Sequence, residues 1–140
     1  LLPHLYAEYN RRFAVFAEAF QSVTPDNPWQ QIVKGTVAFF VANKGLIRAL
    51  HLHSRLNPAV VPQGSTKARE GIYQALEPLI TKQGLDAGAR NRRARMAALV
   101  MVSALTEAIL YPDMTPVAAA GLSRDQLVEE LSELLDSYVA

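Results

Sequence analysis

The residues available for acid–base or metal chemistry are few: three histidines, thirteen carboxylates and no cysteine in 140 residues. His51 and His53 stand two apart on a predicted helix, so they point in different directions and cannot jointly hold a metal. His4 is remote from both in sequence, and Glu107 and Asp113 bracket a predicted helix end with no partner that spacing identifies. Gly64, Gly71, Gly84 and Gly88 stand singly, so no glycine-rich loop can cradle a phosphate. The lack of cysteine removes a thiolate nucleophile, a disulfide framework and cysteine-ligated zinc or iron–sulfur sites. A non-catalytic protein with no metal and no cofactor is therefore expected. Arg90, Arg92, Arg93 and Arg95 form the densest basic run. At the start of a helix they read as a solvated first turn or as salt bridges to the acidic last helix, ahead of direct phosphate binding.

What remains is recognition through apolar surface. Tyr9, Phe13 and Phe16 on the first predicted helix and Trp29, Val37 and Phe40 on the second are candidate walls of a ligand cavity. Leu50 and His53 on the third, with Tyr73 and Leu76 on the fourth, extend that wall. Met101, Leu105 and Thr106 would close it from below. Tyr9, His53, Tyr73 and Thr106 are the candidates for orienting polar contacts, because a buried hydroxyl or imidazole needs a partner that a ligand can supply. The expected ligand is small and largely apolar or aromatic. A filled core has the same apolar spacing, and that alternative stays open.

These side chains must be positioned by helices, since no stretch alternates as a strand does. The pattern is all-α: an orthogonal bundle of about six helices in one domain, residues 1–140. Leu5, Tyr9, Phe13, Phe16 and Phe20 line one side of a helix over 4–20, with Tyr6 and Ala17 widening the stripe. Asn27 as cap, Pro28 at the first position and Gln30 at the third begin a second helix that runs to Ala42. A break at Asn43-Lys44-Gly45 precedes a third helix ending near Arg55. Turn signals follow at Asn57-Pro58 and Pro62-Gln63-Gly64. The next helix starts at Ser65, and Pro78 is expected to kink it before Gln83-Gly84 stops it.

The last two helices carry the most apolar surface. From Ala94 to Leu110 small or apolar residues go almost all the way round, which predicts a helix buried on every side up to Tyr111. Pro112 and Pro116 separate it from a final helix, where Ser123 and Gln126 form a capping box and Leu122 and Leu127 a hydrophobic staple. Leu127, Val128, Leu131, Leu134, Leu135 and Tyr138 form its stripe. The two helices predict either a core or a dimerisation hairpin. Ala97, Met101, Ala104 and Ala108 on one and Leu127, Leu131, Leu134, Leu135 and Tyr138 on the other are the candidate interface residues.

Apolar residues make up 50% of the chain and charged ones 19%. That balance argues against disorder and for surface hidden in a partner or around a cavity. Residues 1–95 hold thirteen Lys/Arg and six Asp/Glu, whereas residues 96–140 hold one and seven. No signal peptide or membrane-length apolar run is visible, so a soluble, cytoplasmic protein is expected. The chain begins Leu1-Leu2-Pro3, which reads as a fragment of a longer one.

Taken together, the helix over 4–20, WQQIVKGTVAFFVANKGLIRALHLHSR, QALEPLITKQGLDAG, RMAALVMVSALTEAILYP and LSRDQLVEELSELLDSYV resemble the C-terminal domain of the TetR/AcrR family of transcriptional regulators. The resemblance covers nearly the whole chain. It implies an effector-sensing bundle whose last two helices pair with their twins in a homodimer. It also implies DNA binding through an N-terminal helix-turn-helix head missing from this chain, so no residue here is assigned to base reading. A repressor relieved by its ligand is the implied behaviour. The alternative from another class is a helical dimerisation or protein-interaction module with no small-molecule ligand.

Overall fold

The computed structural model describes residues 2–56, 66–112 and 120–140. Among the described residues there are six α-helices and no strands: α1 Leu2–Ala19, α2 Pro28–Ala42, α3 Lys44–Leu56, α4 Thr66–Leu76, α5 Ala87–Leu105 and α6 Arg124–Val139. The turn at Asn57-Pro58, the break at Pro62-Gln63-Gly64, Asp113 and Pro116 lie outside the described residues. No described helix is long and apolar enough to cross a membrane.

The helix boundaries follow from local chemistry, with three departures from expectation. Asn27 does precede α2, but its backbone is left-handed (φ 48°) and its side chain makes no capping bond. Its carbonyl accepts from Gln31 N–H, and the Gln31 amide instead ties down the preceding loop through Thr24 and Asp26. Pro28 still occupies the first turn, where its missing N–H costs nothing. Pro78 ends its helix instead of kinking it: α4 stops at Leu76, a 3₁₀ turn spans Glu77–Leu79, and Ile80 is extended. The proline lacks the donor for another helical bond. The chain beyond is also captured elsewhere, since Thr81 and Lys82 N–H both donate to Val139 O at the end of α6. The third departure is a π-helical segment, Thr106–Leu110, that continues α5 where a regular helix was expected. The Ser123–Gln126 capping box is present at α6, and Asp86 caps α5 by accepting from Ala89 N–H at 2.7 Å.

The filled core lies between α2, α5 and α6. Trp29, Ile32, Val33 and Val37 of α2 and Val128, Leu131, Leu135 and Val139 of α6 are all buried. Ala94 and Ala97 give α5 a small-residue face against this core. The last two helices do touch, yet α6 packs chiefly against α2 and less against α5, so the terminal pair is not an isolated hairpin. Nor is α5 buried on every side: Met96, Leu99 and Val102 are 46%, 60% and 43% exposed.

Candidate ligand cavity

On the other side of α5 the packing is incomplete. A cavity of about 370 Å³ lies among α1, α2, α3, α4, α5 and the π-helical segment. Its long wall is one face of α1, where Tyr6, Tyr9, Phe13 and Phe16 recur at three- and four-residue spacing, with Phe20 just beyond the helix. At helical rise, Tyr6 and Phe16 stand about 15 Å apart along the axis. The rings brace one another and not a filled interior. Phe16 stacks on Phe39 with centroids 4.5 Å apart and meets Phe20 edge-on at 5.1 Å. Phe13 stacks on Tyr9 at 5.8 Å. Flat rings held against each other leave a gap that branched side chains would fill. A smaller hollow of about 100 Å³ lies behind Phe16 and Phe20, reaching Val23 and Ile32.

Of the ligand-wall candidates, Tyr9, Phe13, Phe16, Phe40, Leu50, Tyr73, Met101 and Thr106 line this cavity. Trp29, Val37, Leu76 and Leu105 do not: they are buried in the packed core, with Leu76 and Leu105 fully covered. They share the helical spacing of the lining residues but belong to the buried core cluster. His53 also falls outside the lining, where its ring meets Tyr6 edge-on at 6.0 Å. Its place is taken by His51 and Ser54, one turn apart on α3, which were not anticipated as lining residues. Neither were Tyr6, Phe20, Thr36, Phe39, Ile47, Arg69, Ile72, Ala98, Leu99, Val102 and Leu110. For Tyr6 and Phe20, membership of the α1 stripe was the available signal.

Four polar groups of the wall, on Tyr6, Ser54, Thr36 and His51, have identifiable partners. Tyr6 OH and Ser54 Oγ lie 3.3 Å apart, and Ser54 also donates to Leu50 O. Thr36 Oγ1 donates to Ile32 O at 2.8 Å and faces Met101 Sδ. His51 Nδ1 shares a 2.9 Å hydrogen bond with Tyr111 OH, while Arg48 lies over the Tyr111 ring. Burial holds the His51 pKa below the usual imidazole range, helped by Arg55 and opposed by Glu107. Burial also pushes the Tyr9 phenol up, opposed by the positive charge of Arg69. Among the described residues no three His, Asp or Glu side chains are placed to hold a metal.

The interface candidates divide differently. Ala97, Met101, Leu131 and Leu135 are buried within the chain itself and have no surface left to offer a partner. Ala104, Ala108 and Leu127 are half-buried, and Leu134 and Tyr138 are exposed. Met96, Leu99 and Val102 are exposed apolar residues of α5. The two helices adjoin at Arg93, which lies over the Tyr138 ring at 4.6 Å and donates to Tyr138 O.

Arg90, Arg93 and Arg95 of the arginine run are tethered, none of them to an acidic residue of α6. Arg90 donates to Ile80 O, and Arg95 pairs with Glu70 at 3.2 Å while lying over Tyr73. Compared with known proteins, the chain matches no protein-family model, no curated protein and no solved structure.

Proposed function

We propose that this chain is the effector-sensing and dimerisation domain of a TetR-like transcriptional regulator, one that releases DNA when ligand binds. The observation that carries the reading is the aromatic-walled cavity of about 370 Å³ built against α1. Its volume is in the range that encloses small ligands. Its walls offer recognition without a nucleophile–base pair. In the resemblance set out above, α1 leads in from the DNA-binding head. A ligand seated along Tyr9, Phe13 and Phe16 would favour one placement of α1 against α3 and α4, and the head would feel that shift.

In the same reading a second copy covers the exposed stripe of Met96, Leu99, Leu134 and Tyr138 and sets the spacing of two heads on a two-fold operator. The test is binding of the full-length protein to DNA flanking its own gene, with and without a ligand shown to occupy the cavity. Ligand should weaken DNA binding at least tenfold, equivalent to about 1.4 kcal/mol of coupling. Unchanged affinity at saturating ligand sinks the regulator reading.

The exposed stripe also favours the second reading, an interaction module with no ligand. That reading expects a filled bundle, and the cavity counts against it. Sedimentation of the chain over a wide concentration range, with Leu134→Glu alongside, tests the surface common to both. A chain that stays monomeric throughout removes the dimer from either.

A further inference from the structure

At one end of the cavity wall a hydrogen bond joins α1 to α3. Ser54 Oγ donates to Leu50 O, so its single proton is spent and Tyr6 OH is the donor in the 3.3 Å contact between them. The two helices run antiparallel from this join, since Arg12 further along α1 donates to Asn43, just ahead of α3. One turn on from the join, about 5 Å along each axis, stand Tyr9 on α1 and His51 on α3. Both line the cavity, so the two helices present them to the same space.

Each offers that space a polar atom that the protein does not use. Tyr9 stacks on Phe13, and its hydroxyl has no hydrogen-bond partner among the described residues. His51 commits Nδ1 to Tyr111 OH at 2.9 Å, and its Nε2 has no partner among the described residues. Neither atom is sealed in protein, so a ligand atom can reach both. Burial disfavours charge on either group: it holds the imidazole below its ordinary range and raises the phenol, outweighing the field of Arg69 at Tyr9. An ionised head placed between them would meet the same burial with no opposite charge from either. A hydroxyl head both donates and accepts. It therefore suits Tyr9 OH in either sense and His51 Nε2 in either tautomer, whereas an ether or carbonyl can only accept. Arg69 also lines the cavity, but it is exposed and engaged by a contact of its own, and no part of the ligand is assigned to it. Beyond Tyr9 the wall turns to hydrocarbon, with Phe13 and Phe16 braced by Phe39. Thr36 adds little polarity there because its hydroxyl is already bonded to Ile32 O.

We infer that the cavity takes a neutral hydroxyl compound, a phenol or alcohol, with its hydroxyl between Tyr9 and His51 and its apolar body among Phe13, Phe16 and Phe39. The inference rests on the ligand-sensing reading and narrows it to one chemical class. Calorimetric titration of the folded chain at neutral pH with para-butylphenol, its methyl ether, para-butylbenzoate and para-butylbenzylammonium tests it. The phenol should bind on the order of tenfold tighter than the ether, which has no proton to give, and tighter than either ion. Its advantage over the ether should shrink in Tyr9→Phe and in His51→Phe, with helical circular dichroism and melting showing both variants folded. The comparison of heads on the unaltered chain stands without either variant. A benzoate or ammonium that binds as tightly as the phenol overturns the neutral head. A phenol no better than its ether, or an advantage that persists in either variant as one of size would, overturns the hydroxyl contact. Both results leave the cavity a binding site, whereas failure of every probe, the ether included, overturns the ligand-sensing reading itself.

Discussion

The two sides of α5 solve the same packing problem in opposite ways. Toward α2 and α6, alanines let the helices approach and aliphatic side chains fill what is left: Val33, Leu105 and Leu135 are at most 2% exposed. Toward α1 and α3, aromatic rings lean on each other along the wall of about 370 Å³ of space. Rings have large area but few rotamers, so a cluster of them holds its shape without a filler. Stability therefore resides on one side and vacancy on the other, and the fold can tolerate the second because of the first.

The sharpest way to break that contrast is truncation. Leu105→Ala should cost about 2–5 kcal/mol, because the surrounding core collapses incompletely onto the lost volume. Phe16→Leu, beside the cavity, should cost less than about 1.5 kcal/mol. Urea unfolding of both variants decides it, and equal losses would mean that the cavity wall is as tightly packed as the core.

Adjacent alanines offer a cleaner version. Ala97 faces the filled side and is 0% exposed, whereas Ala98 lines the cavity. Ala97→Leu should overpack the core and cost about 1–3 kcal/mol. Ala98→Leu should be neutral or stabilising in the same melts, because the added side chain fills part of the cavity. A smaller effect belongs to the start of α6. Ser123→Ala removes one half of the capping box and should cost about 1 kcal/mol without altering binding at the cavity.

The smallest expected effect is a pH dependence confined to the cavity side. Above about pH 6.5 the folded and unfolded chains both carry a neutral His51. As pH falls below that value the unfolded chain takes up a proton that the folded chain resists, so stability declines until the depressed folded pKa is passed. His51→Gln should flatten this part of the stability–pH curve relative to the parent protein. An unaltered slope would assign the dependence to another group.

Much of the architecture was legible because it is encoded locally. The α1 stripe, the Pro28 start, the break at Asn43 and the Ser123–Gln126 box depend on a few neighbouring residues. Pro78 was harder, since ending or kinking depended on whether Thr81 and Lys82 found acceptors, and Val139 O supplies both from 57 or more residues away. The cavity wall was half legible for a related reason. Spacing shows which residues share a face, but not whether that face meets another side chain or a space. Leu76 and Tyr73 illustrate it: three residues apart on α4, one is sealed in the core and the other lines the cavity. His51 and His53 divide as well: the first lines the cavity, and the second, half-buried against Tyr6, does not. The π-helical segment had no sequence signal, and it presents Thr106 and Leu110 to the cavity while Leu105 stays in the core.

Leu99 and Val102 line the cavity and are exposed apolar side chains as well. In the proposed reading a second copy laid over them would also narrow the cavity, so self-association and ligand traffic would share a pair of side chains. Uptake of a ligand shown to occupy the cavity should then slow as the chain is concentrated, with no residue moved and no new binding group supplied.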